Sequence, residues 1–245
     1  MRKAVAILSG LAVILSAGAA FAARPPVVVE LFTAQGCSSC GPANASVAAM
    51  AAREDVLPLT FSVDYWDYLG WKDTFAQKAF TDRQRAYAKK LGVREVYTPQ
   101  VVIDGRVQAS GVRPAQVEAL LQTQARALRF PPDMEWRGDN RAAVGSGRPP
   151  VGGAEVWLVR FDPRDQDVAV RRGDNRGQTI AHRNVVRQLV RLGAWAGRPR
   201  IYRLPPPPEE GLTSAVLVQG AAGGAMIGVL VQATASSGGT QRGWR

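Results

Sequence analysis

The feature that most constrains this chain is a pair of cysteines, Cys37 and Cys40, which are separated by two residues and are the only cysteines in the sequence. They follow an apolar run over residues 27–32 and precede a small-residue segment with helical spacing over residues 43–53. A strand that leads into a C-x-x-C motif and then into a helix commonly carries a redox-active dithiol. We therefore expect any chemistry of this protein to take place at these two thiols.

The motif assigns different roles to its two thiols if it is redox-active. Cys37 would lie at the helix start, where main-chain N–H groups and the helix dipole favour a thiolate, so we expect it to be the nucleophile. Cys40, one turn further along, would resolve the mixed disulfide.

Two other interpretations of the cysteine pair stay open. The first is a structural disulfide, which would close a very small ring and stabilise the fold weakly. The second is a copper site that combines the two thiolates with His182, the single histidine. We assign no metal ligand, because a stable zinc site normally has four.

Residues 1–22 have the pattern of a secretory signal peptide. A basic start is followed by an apolar stretch over residues 4–20 and by the small-x-small sequence Ala20-Phe21-Ala22. Such a segment is removed on export, although its length also suits a membrane anchor, which needs roughly 20 residues. We expect the mature chain to be periplasmic or secreted, in surroundings where disulfides persist. We expect no membrane span after the signal.

The formal net charge of +11 becomes +9 when Arg2 and Lys3 leave with the signal (11 − 2). A strongly basic balance is often associated with nucleic-acid binding. The sequence has no compact run of Lys and Arg with interleaved aromatics, and an exported protein rarely meets nucleic acid. We therefore expect no nucleic-acid partner. Attraction to anionic membrane surfaces or acidic partners is one alternative, and a merely Arg-rich surface is another.

Apolar periodicity predicts an α/β first half over residues 23–129. The predicted elements are strands over residues 27–33, 57–63 and 100–107, with a hairpin at Asp104-Gly105. The predicted helices run from Ser38 or Cys40 to about residue 53, and over residues 72–91 and 113–128. This order suggests a single sheet with helices packed on it.

Tyr65 and Trp66 belong to an aromatic-rich loop, residues 64–71, which directly follows the second predicted strand. Ligands approach open α/β sheets at the carboxyl ends of their strands. The two side chains are therefore candidate substrate-binding residues beside the dithiol. The alternative is a packed loop whose rings cover the apolar sheet.

The second half, residues 130–235, reads as a mainly antiparallel β domain, either a sandwich or a curved sheet. Gly and Pro separate its short apolar runs, and residues 183–192 are compatible with either strand or helix. We interpret residues 173–177 as a polar turn that hairpin geometry explains without a ligand. His182 is expected to be a strand residue whose ring is hydrogen-bonded locally. Residues 236–245 are small and polar and read as a flexible tail.

The first half resembles the thioredoxin superfamily, through the strand–C-x-x-C–helix unit and through Thr98-Pro99 before the strand at residue 100. More closely, the chain resembles a family of bacterial secreted thioredoxin-like proteins of unknown function. The motifs that carry this resemblance are E-L-F-T-x-x-G-C-S-S-C (30–40), V-D-Y-W-D-Y-L-G-W (63–71), Y-T-P-Q (97–100), G-D-N-R-G (173–177) and H-R-N-V-V (182–186). The resemblance implies that Pro99 is a cis-proline beside the sulfurs and that Thr98 faces an extended substrate. Gln35-Gly36 stands where thioredoxin commonly has a tryptophan, and Pro42 follows the motif.

The resemblance and the motif together predict an exported thiol–disulfide oxidoreductase that acts on protein or small thiols and needs no cofactor. The alternatives are a non-catalytic thioredoxin-like binding module of the cell envelope and the copper-binding protein described above. A single histidine argues against a Ser-His-Asp hydrolase. The sequence carries no signal for an oligomeric state or for the direction of electron flow.

Overall fold

An eight-stranded sheet lies at the centre of the protein. The computed structural model describes residues 24–127 and 130–232. The predicted signal peptide, 1–22, and the predicted tail, 236–245, lie outside the described residues. Within them the architecture is mixed α/β, with a large sheet and few helices. No helix in the described part of the chain is long and apolar enough to cross a membrane.

The described residues of the first half form four strands and three α-helices in the predicted order. They are β1 (Val27–Thr33), α1 (Cys40–Ala49), β2 (Val56–Ser62), α2 (Lys78–Lys90), β3 (Gln100–Ile103), β4 (Val107–Ser110) and α3 (Pro114–Arg126). The helix predicted from residue 72 begins only at Lys78. Its first six predicted residues stay outside the helix, where the carboxylate of Asp73 accepts the main-chain N–H groups of Gln35, at 2.7 Å, and of Phe75, at 2.9 Å.

The described residues after 130 form nine strands and no helix. They are β5 (Met134–Trp136), β6 (Arg141–Val144), β7 (Ala154–Asp162), β8 (Gln166–Ala169), β9 (Thr179–His182), β10 (Val185–Trp195), β11 (Arg200–Arg203), β12 (Thr213–Gly220) and β13 (Met226–Val231). All pairings among them are antiparallel, as predicted. The ambiguous segment 183–192 is strand from Val185 onward, because β10 pairs along its length with β7.

The main sheet runs through both halves of the chain. Its strand order is β13-β12-β7-β10-β2-β1-β3-β4, and the junction is a parallel bridge between Val185 and Thr60. Asn184 supports the junction: its side chain donates to the carbonyl of Pro58 at 2.7 Å, and its own carbonyl accepts the Thr60 N–H at 3.0 Å. The division into domains at 23–129 and 130–235 stays a prediction. The structure adds that strands from before and after residue 130 belong to the same sheet.

Apolar side chains cover both faces of the first half of the sheet. Alternation along β1 sends Val27, Val29 and Leu31 to the face that holds α1 and α3, and it sends Val28 and Phe32 to the face that holds α2. A second, three-stranded sheet, β11-β6-β5, packs on the distal part of the main sheet around the buried indole of Trp195. The dithiol motif is therefore mounted on a sheet that is buried on both sides.

A buried polar network ties α2 to both halves of the sheet. The guanidinium of Arg83 donates to the carboxylate of Glu30 at 2.6 Å and to the side-chain oxygen of Gln219 at 3.1 Å. The hydroxyl of Tyr87 donates to the other Glu30 oxygen and accepts from the Gln219 amide at 2.9 Å. Because Glu30 lies on β1 and Gln219 on β12, this network fixes the relative position of elements that are distant in sequence.

Candidate functional site

The dithiol loop, residues 34–39, joins the end of β1 to the start of α1. Two successive turns shape it: the N–H of Cys37 donates to the carbonyl of Ala34, and the N–H of Cys40 donates to the carbonyl of Cys37, both at 3.1 Å. Cys37 and Cys40 form a disulfide, with their Cα atoms 5.4 Å apart. Ser38 is exposed, whereas Cys37 is only 1% exposed and Cys40 is fully buried. In the disulfide form the sulfurs are therefore covered.

The start of α1 provides a favourable electrostatic setting for a thiolate. The first turn of the helix contains no acidic residue, so the partial positive charge of the helix N-terminus is not offset there. The hydroxyl oxygen of Ser39 lies 3.6 Å from the sulfur of Cys37. The helix begins at Cys40, so Cys37 lies three residues before it and not at its start as predicted. A reduced Cys37 would have the Ser39 hydroxyl in its neighbourhood.

The peptide bond between Thr98 and Pro99 is cis. Pro99 immediately precedes β3, whose first residue, Gln100, pairs with Phe32 near the end of β1. Gly111 lies between Pro99 and helix α1, where there is no room for a larger side chain. A Cβ atom at that glycine would lie 2.9 Å from the side chain of Ala43 and 3.0 Å from that of Pro99.

Trp66 connects the aromatic loop to both sides of the site. Its indole N–H donates to the hydroxyl of Thr98 at 2.7 Å. On the other side, a Cβ atom placed on Gly36 would lie 3.6 Å from the Trp66 Cβ. Tyr65 packs next to Trp66 with ring centroids 6.5 Å apart, and burial raises the pKa of its phenol to about 12. Both rings pack against the apolar cluster that contains the two cysteines. The structure thus brings the predicted site residues into one region.

Asp73 and Gln35 join the dithiol loop to the segment that follows the aromatic loop, and no sequence pattern pointed to Asp73. Beyond the main-chain bond to Asp73, the Gln35 side chain accepts from the indole of Trp71 at 2.9 Å and donates to the hydroxyl of Thr74 at 2.8 Å. Burial raises the pKa of Asp73, and the main-chain N–H groups of Gln35 and Phe75 oppose that rise. The aromatic loop and the dithiol loop therefore form one hydrogen-bonded unit.

The interpretation of residues 173–177 as a turn explained by hairpin geometry alone was incomplete. Asn175 is 1% exposed, and its side-chain nitrogen donates to the carbonyls of Gln35 at 2.8 Å and of Cys37 at 3.0 Å. The same turn approaches the aromatic loop, since a Cβ atom on Gly173 would lie 3.5 Å from the carbonyl of Leu69. The sequence feature that could have pointed to this contact is an amide residue, Asn175, between Gly173 and Gly177 in a short polar motif.

His182 is a strand residue with a local hydrogen bond, as predicted. Its Nδ1 lies 3.0 Å from the carbonyl of Ile180, and its ring packs edge-on against Phe75 at 5.3 Å. Burial lowers the pKa of His182 to about 4. Asn44 on α1 anchors β9 nearby by donating to the carbonyl of Ala181 at 3.1 Å. Among residues 24–127 and 130–232, no group of three or more His, Cys, Asp or Glu side chains could hold a metal ion.

Comparison with known proteins gives a family match and structural neighbours. The sequence model of the family DUF1223, described as a protein of unknown function, matches residues 28–219. The chain is 32% identical in sequence to protein AGR_C_4864 from Agrobacterium tumefaciens, whose X-ray structure superposes on it with a TM-score of 0.67. The match covers 84% of this chain and 92% of that chain. The structure of HBP35 of Porphyromonas gingivalis is 13% identical with a TM-score of 0.54, over 85% of this chain and 75% of that chain, a likeness of fold alone. The search of curated proteins found no match.

Proposed function

Because this chain belongs to the DUF1223 family, whose function is unknown, we propose a function from its own site: a thiol–disulfide oxidoreductase that uses Cys37 and Cys40. The observation that carries the proposal is a disulfide-bonded C-x-x-C pair at the N-terminus of a helix. A helix N-terminus lowers the pKa of a thiol that reaches it, and exchange requires a thiolate. The first turn of α1 has no carboxylate to oppose this effect.

The reaction transfers two electrons. A substrate thiolate attacks the sulfur of Cys37, the Cys37–Cys40 bond breaks, and Cys40 leaves as the thiolate. A second substrate thiol then attacks the substrate sulfur of the mixed disulfide and releases Cys37. The substrate dithiol becomes a disulfide, and its two protons are taken up by Cys37 and Cys40. The reverse sequence begins with attack of the Cys37 thiolate on a substrate disulfide and ends with resolution by Cys40.

We also propose that the first half of the chain has a thioredoxin-like fold. The support is the order of β1, the dithiol loop and α1, together with a proline, Pro99, at the entry to the neighbouring strand β3. Trp66 and Thr98, which are joined by a hydrogen bond of 2.7 Å, then form the wall that an approaching substrate meets first.

The proposed location is outside the cytoplasm, in the periplasm or secreted. The support is the signal-peptide pattern of residues 1–22. An oxidising compartment is one in which a Cys37–Cys40 disulfide persists. The proposed partners are proteins or small molecules that carry thiols.

A second candidate function is favoured by one specific observation, the burial of the dithiol. Cys37 is 1% exposed, so a substrate thiol reaches its sulfur only after the covering groups move. A non-catalytic binding module of the cell envelope needs no such movement. The copper-binding alternative, by contrast, has only two thiols to offer, because no third ligand joins them within the described residues.

Capture of mixed disulfides separates these functions. In a Cys40→Ser variant the resolving thiol is absent, so adducts formed on Cys37 should accumulate and be identified by mass spectrometry of extracts or of added thiol substrates. The matched control is Cys37→Ser, which removes the proposed nucleophile and should form no adducts. If the two variants capture equally little, and the wild-type reduction potential lies far below the glutathione range, the oxidoreductase proposal is wrong.

A further inference from the structure

Asn175 contacts the dithiol loop from the other half of the chain. It lies in the connection between β8 and β9, and its side-chain nitrogen donates to the carbonyl oxygens of Gln35 at 2.8 Å and of Cys37 at 3.0 Å. The residue is 1% exposed, so water does not compete for these bonds. A single nitrogen therefore bridges the two carbonyls that flank Gly36.

The chemistry of this contact requires an amide. An Asn side chain carries two hydrogens on one uncharged nitrogen, whereas Ser offers one donor and Asp or Leu offers none at neutral pH. The side-chain oxygen of Asn175 is buried and has no hydrogen-bond partner among the described residues. Leaving such an acceptor unpaired is costly. Because the oxygen makes no bond among the described residues, the side chain is held by the two bonds that its nitrogen donates to the dithiol loop.

The turn that presents Asn175 is built from its own main-chain bonds. Gly173 and Gly177 adopt positive φ angles of 76° and 81°, a region that glycine enters without strain. The N–H of Gly177 donates to the carbonyl of Val170 at 2.8 Å, and the N–H of Gln178 donates to the carbonyl of Asn175 at 3.0 Å. None of these bonds involves the dithiol loop, so the turn keeps Asn175 in place whether or not the cysteines are bonded.

We propose that Asn175 is a positioning residue that favours the disulfide form of Cys37 and Cys40. The inference rests on the proposed exchange reaction at this pair. In the disulfide form the S–S bond restrains Cys37, so the carbonyls of Gln35 and Cys37 meet the amide with little further ordering. Reduction frees the loop, and the same two bonds then require additional loss of conformational entropy. Bonds that are stronger in one state shift the equilibrium toward that state.

The test is the dithiol–disulfide equilibrium of the purified chain in mixtures of reduced and oxidised dithiothreitol. In this reaction the Cys37–Cys40 bond breaks, both residues become thiols, and dithiothreitol closes to its cyclic disulfide. Alkylation and mass spectrometry give the reduced fraction. We expect Asn175→Leu to favour reduction about tenfold, equivalent to about 30 mV less negative potential. Asn175→Ser, which keeps one donor, should lie between that variant and the wild type.

The matched control is Asp174→Asn, which changes an exposed residue of the same turn and should leave the equilibrium unchanged. Urea unfolding of both redox forms supplies a second readout: Asn175→Leu should lose more stability in the disulfide form than in the dithiol form. A purely structural role would weaken both forms equally and leave the equilibrium constant unmoved, which would overturn the inference. A more negative potential would also overturn it. Because dithiothreitol is the reductant, failure to capture natural substrates would count against the proposed function and not against this inference.

Discussion

Acid sensitivity of folding should depend strongly on His182. This side chain is 2% exposed, its Nδ1 bonds to Ile180, and burial lowers its pKa to about 4. Asp167 opposes that shift, whereas Arg187 adds to it. In the unfolded chain the pKa returns to about 6.5. The unfolded state therefore takes up a proton first as the pH falls, so the stability present above pH 6.5 is lost progressively toward pH 4.

The size of this loss follows from the two pKa values. A pKa of about 4 in the folded protein against about 6.5 in the unfolded chain corresponds to roughly 2 kcal/mol lost between pH 7 and pH 5 and roughly 3 kcal/mol by pH 4. Urea unfolding at pH 7, 6, 5 and 4, followed by circular dichroism, measures it.

The matched variant for this experiment is His182→Asn, which can still donate to the Ile180 carbonyl but does not titrate. Its overall stability should be lower because the smaller side chain leaves a gap, but its stability should fall less steeply with acid. The difference between the two pH profiles isolates the histidine from all other titrating groups. Parallel profiles for the wild type and the variant would refute the reasoning.

Two further predictions concern the buried network and the covered disulfide. Glu30→Gln leaves the buried Arg83 guanidinium without its carboxylate, and we expect the free energy of unfolding to fall by about 3–5 kcal/mol. Lys78→Gln, which breaks an exposed ion pair, should cost less than about 1 kcal/mol, and equal losses in urea unfolding would contradict this account. Because Cys37 is 1% exposed, dithiothreitol should reduce the disulfide faster than an unrelated protein dithiol of equal thiol pKa. Stopped-flow rates in the opposite order would show that the sulfur is open to bulky partners.

Local patterns in the sequence were sufficient for most of the secondary structure. The apolar run of β1 and the turn at Asp104-Gly105 were predicted correctly because strands and hairpins depend on side-chain alternation and on turn residues close in sequence. The start of α2 was predicted six residues too early. There a long-range bond between Asp73 and Gln35, 38 residues apart, holds the preceding segment outside the helix.

The candidate site was only partly predictable. The two cysteines could be identified by their spacing, and Trp66 by its place directly after a strand. Asp73 could not be identified, because a carboxylate that accepts main-chain N–H groups has no characteristic neighbours in the sequence. Asn175 lies 138 residues from Cys37, and nothing in a short polar motif specifies which carbonyls its amide will meet.

The sequence by itself determined that this chain carries one dithiol between a strand and a helix, since that unit depends on contiguous residues and their periodicity. Tertiary structure alone decided that the sulfurs are covered and that Asn175 from the second half bonds to the loop that carries Cys37. It also decided that one sheet joins both halves, through β2 and β10. The physical reason is that burial and hydrogen bonding between distant segments depend on which elements pack together. That packing is settled by the whole chain, whereas a motif records only its own neighbours.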